Sequence, residues 1–446
     1  MSDTLRSGSI STKLQRIAKL ARKAPGMIFT SLSHCIDIDF LREAYRRTRK
    51  DGATGVDGRT AQEYGDNLEE NLRSLLDRFR SGTYRAPPVR RVHIPKGDGS
   101  KTRPIGVPTF EDKVLQRAVT MLLESIYECD FLPCSYGFRP RKSAHDALVV
   151  LWQQVMDMQG GWVLEVDIKS FFDVLDHRHL RSFLDQRVCD GVLRRAIGKW
   201  LNAGVMEDGQ HTRPATGSPQ GGVISPLLAN IYLHEVLDKW FEETVKPLMK
   251  GASFMVRYAD DVVMVFADES DARRVFDVLP KRCGKYGLTL HPEKTRLVRF
   301  QRPRSRGPGK GRDSSGQSPG SFDLLGFRHF WGRSRRGAWV VKRRTTPSRF
   351  TRALKAVTEW CRKHRHRPIA VQQRELASKL RGHYGYYGIT GNSYALGKFQ
   401  RQVTRCWRRW LDRRSQHHRM PWERFNKLLA AYPLPPARCV HSTFVT

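Results

Sequence analysis

A chain of 446 residues exceeds what one hydrophobic core ordinarily serves, so two or three structural units are expected. With 39% hydrophobic residues, including 10 Trp and 21 Phe, the chain can bury a substantial interior, which excludes general disorder. Lys plus Arg number 79 against 44 Asp plus Glu, a net charge of +35 that points to a polyanion, nucleic acid above all, while no run of about 18 apolar residues exists to cross a bilayer.

In chain order, residues 1–26 are basic and serine-rich but lack a secretory apolar core. A transit peptide is the competing reading, yet Leu14, Ile17 and Leu20 begin a helical pattern that continues into folded-looking sequence. Residues 10–80 read as helices broken by the turn-rich loop Asp51-Gly-Ala-Thr-Gly-Val-Asp-Gly58. Residues 88–110 read as a β-hairpin, Val89 to Ile94 and Thr102 to Val107 about a turn at Gly97-Asp98-Gly99. Residues 112–128 and 143–158 are helical by apolar spacing, and from 160 to 300 short apolar strands alternate with helices, an α+β pattern built on a sheet. Residues 302–321 contain no aliphatic or aromatic side chain and are expected to form a flexible basic insertion. A strand-like piece, Phe322 to Trp331, precedes a helical region in which residues 341–420 hold 21 Lys or Arg against 3 Asp or Glu. There Phe350, Leu354, Val357 and Cys361 share one helical face, as do Leu396, Phe399, Val403, Cys406 and Trp410 further on. The opposite side of the second helix carries Arg401, Arg405, Arg408 and Arg409. Solvated faces normally mix signs, so an RNA- or DNA-contacting surface is the expectation. The eight cysteines form no C-x-x-C pair, which speaks against a zinc ribbon or a disulfide framework and for reduced thiols in a cytosol.

The chemistry lies in three aspartates. In Phe254-Met-Val-Arg-Tyr-Ala-Asp-Asp-Val-Val-Met-Val-Phe266 two β-rich arms flank Asp260 and Asp261, a hairpin with two carboxylates at its tip. Adjacent like charges there repel unless a cation sits between them. Another apolar strand, Trp162-Val-Leu-Glu-Val-Asp-Ile-Lys169, ends in Asp167. Carboxylate oxygens at strand ends suit Mg²⁺, which keeps waters and is shared with substrate phosphates. Two such ions about 4 Å apart would activate a primer hydroxyl and stabilise departing pyrophosphate. A lone Asp-Asp pair is a weak signal, since most acidic turns are simply solvated; the strand aspartate followed by the Tyr-x-Asp-Asp hairpin is much stronger.

At these residues the sequence resembles the group II intron-encoded reverse transcriptases and maturases of bacteria and organelles. The likeness runs from about Leu14 to His441. It includes, in order, the Asp51–Gly58 loop, Lys96-Gly-Asp-Gly-Ser-Lys-Thr-Arg-Pro-Ile-Gly106, Ser135-Tyr-Gly-Phe-Arg-Pro140, Asp167-Ile-Lys-Ser-Phe-Phe-Asp173 and Gly217-Ser-Pro-Gln-Gly-Gly222. Tyr258-Ala-Asp-Asp261, Leu288-Thr-Leu-His-Pro-Glu-Lys-Thr295 and Leu325-Gly-Phe327 complete it. The resemblance implies a right-hand polymerase of fingers, palm and thumb. Asp167 and Asp260 would bind metal directly, with Asp261 a ligand or close support and the Ile168 carbonyl joining in. Lys96 and Arg103 would grip the incoming triphosphate. Phe172 would sit beneath the sugar and exclude a ribose 2′-hydroxyl, one of Phe171 and Phe172 being a core residue instead. Gln220 is similar to the residue that meets the nucleotide sugar, and Lys294 to the lysine that protonates pyrophosphate; His291 reads as structural. Helices 350–420, with Leu380-Arg-Gly-His-Tyr-Gly-Tyr-Tyr387, resemble the thumb and maturase segment, where aromatics among arginines can stack on bases.

The implied layout is an N-terminal extension and first fingers loop at 1–80, fingers at 81–160, palm at 161–340, a helical thumb/maturase domain at 341–430 and a tail at 431–446. No counterpart of the family's H-N-H endonuclease with paired cysteines is seen, as in the bacterial class C subgroup, so second-strand cleavage is not expected, and His417 and His418 read as surface residues. The expected partners are group II intron RNA, an RNA template with a DNA primer, dNTPs and target DNA, in a bacterial cytoplasm and without a membrane. Alternatives are a splicing-only maturase, a domesticated relative in host defence or DNA repair, and a viral-type RNA replicase, against which Phe172 and the Tyr-Ala-Asp-Asp tip argue.

Overall fold

The computed structural model describes residues 2–96, 101–207, 209–212, 217, 221–303, 320–414 and 420–442. The expected hairpin turn at Gly97–Gly99, Gln220, His417, His418 and most of the 302–321 insertion lie outside the described residues.

The chain opens with helix α1 (Ser2–Lys23) and α2 (Ile38–Arg47), the latter capped by the Asp37 carboxylate, which accepts from the Phe40 N–H at 2.9 Å. After the 51–58 loop come α3 (Ala61–Asp66), opened by a reciprocal Thr60/Glu63 capping box, and α4 (Leu68–Ser81), closed by Gly82 at φ +80°. Strands β1 (Val89–Lys96) and β2 (Lys101–Val107) form an antiparallel hairpin that pairs Ile94 with Arg103. Helices α5 (Phe110–Asp130) and α6 (Ala144–Asp157) follow, then β3 (Trp162–Asp167), the short α7 (Phe171–Val174), α8 (His177–Asp185) and α9 (Gly191–Leu201). Strands β4 (Val205–Glu207) and β5 (Gln210–Thr212) extend the first hairpin into a sheet of order β2-β1-β4-β5. Helix α10 (Ser225–Leu233) continues into the wider π-wound turns His234–Asp238 and Trp240–Val245. The hairpin β6 (Ser253–Tyr258) and β7 (Asp261–Phe266) leads to α11 (Glu269–Lys285) and β8 (Arg296–Arg299), and a second sheet has the order β6-β7-β3-β8. A third sheet joins β9 (Ser321–Leu324), β10 (Phe327–Arg333) and β11 (Trp339–Thr345), before α12 (Pro347–His364), α13 (Ile369–Tyr387), α14 (Ser393–Asp412) and α15 (Trp422–Ala431).

The chain separates into two compact units, one made of Met1–Ala147, Val166–Met264 and Ser270–Arg296, the other of Leu148–Glu165, Val265–Glu269 and Leu297–Thr446. In the first, α5 is buried around most of its circumference, with Val114, Leu115, Ala118, Leu122 and Ile126 inaccessible to solvent. A helix buried around most of its circumference needs neighbours on several sides, and α1 and α2 supply two of them. In the second unit Val357, Cys361, Leu376, Leu380, Leu396, Phe399, Val403, Trp407, Leu411 and Phe425 form one core, with Phe350 and Leu354 packed against it. Two local expectations shift here. The region read as helical from 341 begins with β11, whose register sets Arg343 opposite His329 in the sheet. On α14 the fully buried flank is Trp407 and Leu411, while Cys406 and Trp410 are half-buried, because α15 covers that side and Phe425 meets Trp407 edge-on at 5.7 Å.

Candidate active site

The site begins with strand direction. A Cβ on Gly161, just before β3, would lie 2.3 Å from the carbonyl of Phe266, the last residue of β7. The start of β3 therefore lies beside the end of β7, so the two neighbouring strands run in opposite directions. Asp167, the last residue of β3, falls at the same end as Asp261, the first of β7, and Asp260 in the turn before it. Asp167 and Asp260 are half-buried, and Asp261 is exposed.

The chain on either side of these carboxylates is held in costly conformations. Ala259 has φ +56° and Ser170 φ +48°, left-handed values that non-glycine residues adopt only where surrounding contacts impose them. For Ala259 the contacts come from Gly137, whose Cβ position lies 2.3 Å from the Ala259 nitrogen, so only a glycine fits beneath the hairpin tip. They come also from Arg257, which is wholly buried. Its guanidinium donates to both carboxylate oxygens of buried Asp238 (2.7 and 2.5 Å), to Asn230 Oδ1 (3.0 Å), to Ser135 Oγ (2.8 Å) and to the Ala259 carbonyl (3.1 Å). Asn230 in turn donates to the Gly137 carbonyl at 2.7 Å. Burial disfavours the charged form of Asp238, but the charge of Arg257 and its two hydrogen bonds, with the His234 ring 3.7 Å away, outweigh it and hold the carboxyl below the usual range. Sequence reasoning missed this lock. Its one visible trace is an arginine in the otherwise apolar strand Phe254-Met-Val-Arg-Tyr258.

Behind Asp167 the loop 289–295 closes over the end of β3. The His291 N–H donates to the Asp167 carbonyl (2.8 Å), the Lys169 N–H to the Thr289 carbonyl (2.8 Å), and the Asp167 N–H to Thr295 Oγ1 (3.3 Å). Lys294 Nζ lies 3.1 Å from Asp167 Oδ2. Ile168 is buried and bridges Leu290. His291 holds this loop through its main chain.

Among the described residues no three His, Cys, Asp or Glu side chains are grouped closely enough to hold a metal ion by themselves. Carboxylate oxygens are the donor type that suits a divalent cation completing its shell with water and phosphate, and here the Lys294 ammonium stands on Asp167 as a positive charge.

Phe171 is buried and packs on Tyr232, whereas Phe172 is half-buried with its ring 5.4 Å from that of Phe171. Gly217 lies against the main chain of Phe172 and Asp173, its Cβ position 3.0 and 2.8 Å from their carbonyl oxygens. Gly221 lies against β2, its Cβ position 2.5 Å from the Gly106 carbonyl. Buried Gln116 of α5, a second residue missed from sequence, accepts from the Val223 N–H (2.8 Å) and Ile224 N–H (3.3 Å). Gly217 and Gly221, which flank residues 218–220 in sequence, thus lie against the Phe172 segment and the strand that carries Arg103. Arg103 is exposed on β2, and Lys96 ends β1.

On α14, Arg401, Arg405 and Arg409 are exposed. Arg408 is not on that open face. Its guanidinium lies 4.5 Å over the Trp422 ring and donates to the Met420 carbonyl at 2.6 Å.

Residues 94–329 match the reverse transcriptase (RNA-dependent DNA polymerase) family, and the chain belongs to it. That membership implies a palm-type polymerase fold, consistent with the mixed helices and sheets, and enzymes of the family use divalent metal ions. Within the family the chain is similar to the group II intron-encoded protein LtrA of Lactococcus lactis subsp. cremoris, 39% identical over 230 residues, which are 51% of this chain and 38% of LtrA. It is also 33% identical to the protein YkfC of Escherichia coli K12 over 327 residues, 65% of this chain and 84% of YkfC. An uncharacterised 91 kDa protein in the cob intron of Schizosaccharomyces pombe is 30% identical over 348 residues, 66% of this chain and 43% of that protein. The chain thus matches well under half the length of LtrA. Among the described residues no helix is long and apolar enough to cross a membrane.

Proposed function

We propose that this chain is an RNA-directed DNA polymerase and intron maturase that binds a group II intron RNA, assists its splicing and copies RNA into DNA for retrohoming. The observation that carries the reading is the meeting of Asp167 with the Asp260–Asp261 hairpin at one end of a buried sheet, in a chain of this family. The fold then divides into fingers around β1 and β2, a palm around β3, β6 and β7, and a helical thumb/maturase domain around α12–α14.

Two Mg²⁺ ions, held by Asp167, Asp260, Asp261 and the Ile168 carbonyl, would supply the charge that activates a primer hydroxyl and stabilises pyrophosphate. The remaining work falls to the chain itself. Lys96 and Arg103 bind the triphosphate and neutralise its charge. Phe172 closes the space beneath the sugar against a 2′-hydroxyl, and Gln220 orients the nucleotide. Lys294 leaves Asp167 when substrate arrives and holds a proton for the departing pyrophosphate. Arg401, Arg405 and Arg409 bind RNA phosphates, while Arg408 braces α14 against the segment before α15. The net charge of +35 fits an RNA partner.

The test is extension of a DNA primer on an RNA template with dNTPs and Mg²⁺, beside a chelated control. Template-dependent, Mg²⁺-dependent extension is the expected result; no incorporation by folded protein would overturn the reading. Retention of group II intron RNA over an unrelated structured RNA tests the maturase half.

A further inference from the structure

The segment Ser135–Pro140 packs against the acidic hairpin, yet the polymerase reading gives its aromatic residue no task. Phe138 has φ +57° and is 53% exposed. Both features are unfavourable in the free protein. A phenylalanine in the left-handed region is strained where glycine or asparagine would be relaxed, and its ring is presented to water. Nor can the segment relieve the strain by moving. The Tyr136 N–H is tied to the Arg257 carbonyl at 2.8 Å, the Gly137 carbonyl to Asn230 at 2.7 Å, and Arg139 is buried on the carbonyls of Ser135 (2.8 Å) and Leu132 (3.0 Å). Gly137 itself lies against Ala259, the residue before Asp260. The ring of Phe138 is therefore carried rigidly on the frame that fixes the catalytic hairpin. Two exposed cations, Arg141 and Lys142, follow directly, and Arg141 is also left-handed at φ +60°.

A strained, rigid aromatic flanked by open cations fits one class of ligand, a nucleic-acid strand that stacks a base on the ring and sets phosphates on the cations. We propose that Phe138 is a stacking platform for a nucleobase of the bound template–primer, fixed beside the polymerase site by the lock beneath Ala259. The inference rests on the polymerase reading for the identity of the ligand.

The test measures anisotropy of a fluorescein-labelled RNA template annealed to a DNA primer, without dNTPs, for wild type, Phe138→Ala, Phe138→Trp and Phe138→Gly. Primer extension is run in parallel. Phe138→Ala should weaken duplex binding about tenfold, the loss of one base–aromatic stack, and Phe138→Trp should bind within about twofold of wild type. Phe138→Gly relaxes the left-handed backbone, so it should melt no lower than wild type and still bind as weakly as Phe138→Ala. Binding by Phe138→Ala or Phe138→Gly equal to wild type would overturn the proposal, because the ring would then contribute nothing. Wild-type protein that binds the duplex but does not extend it would count against the polymerase reading alone, with the binding comparison still deciding the platform.

Discussion

Replacing Arg257 by Met separates the two tasks of the lock beneath the acidic hairpin. The substitution keeps an apolar stem of similar reach and removes five hydrogen bonds: two to Asp238 and one each to Asn230, Ser135 and the Ala259 carbonyl. Asp238, with no solvent exposure, is left as a buried carboxylate beside His234, so the loss should be about 3–5 kcal/mol of stability, the cost of removing one partner of a buried pair. Asp238→Leu combined with Arg257→Met removes both charges and should return stability to within about 1 kcal/mol of wild type. Catalysis should not return with it. Ala259 would still lack the donor to its carbonyl, and a displacement of the hairpin tip on the order of 1 Å lowers rate roughly 10²-fold. Chemical denaturation gives the stabilities, and single-turnover primer extension gives the rate. If the double variant regained both, the network would be packing alone; if Arg257→Met cost under about 1 kcal/mol, the assignment of a charged, dry pair would be wrong.

Three further outcomes follow from other parts of the molecule. Phe172→Ala should lower selectivity for dNTP over rNTP by on the order of tenfold or more, since exclusion of one hydroxyl-sized group is worth about 1–3 kcal/mol; competitive incorporation reads this, and unchanged selectivity would remove the sugar-gate role. His329 is fully buried against Phe322, and burial, with Arg343 nearby, pushes its pKa down to about 3. Its neutral form is free of penalty above the unfolded pKa of about 6.5, and stability falls as pH drops through that value toward 3, so His329→Phe should resist acid better, by about 2 kcal/mol at pH 5 in thermal unfolding. Arg405→Glu with Arg409→Glu should weaken RNA binding and lower the slope of log Kd against log salt by about 1.4 if each contacts one phosphate; an unchanged slope would place RNA elsewhere.

Much of the fold was legible because it is written locally. The 51–58 loop, the β1–β2 hairpin and the Tyr258–Asp261 hairpin all carry turn residues between periodic segments, and they stand where the periodicity places them. The positions of Asp167 and Asp261 were legible for the same reason, the one closing β3 and the other opening β7, with Asp260 in the turn before it. Strand β11 was not, because Lys342, Arg343 and Arg344 look like part of a charged helix until the pairing of Arg343 with His329 shows that one of those cations faces inward. The lock around Arg257 was illegible in principle. It joins Ser135 to Arg257 across 122 positions and takes Asn230 and Asp238 from a helix whose apolar pattern marks neither, so only the folded chain brings them together. Arg408 shows the reverse error of pattern reading: helical spacing put it on the basic face, and packing on Trp422 took it away.

Asp167, Asp260 and Asp261 are proposed to form one polymerising centre. The most direct measurement compares wild type with Asp260→Ala on poly(rA)/oligo(dT) in Mg²⁺, scoring dTTP incorporation and duplex binding on the same preparations. Asp260→Ala is expected to bind the duplex as wild type does and to incorporate nothing above background. Equal incorporation by both proteins would contradict that proposal.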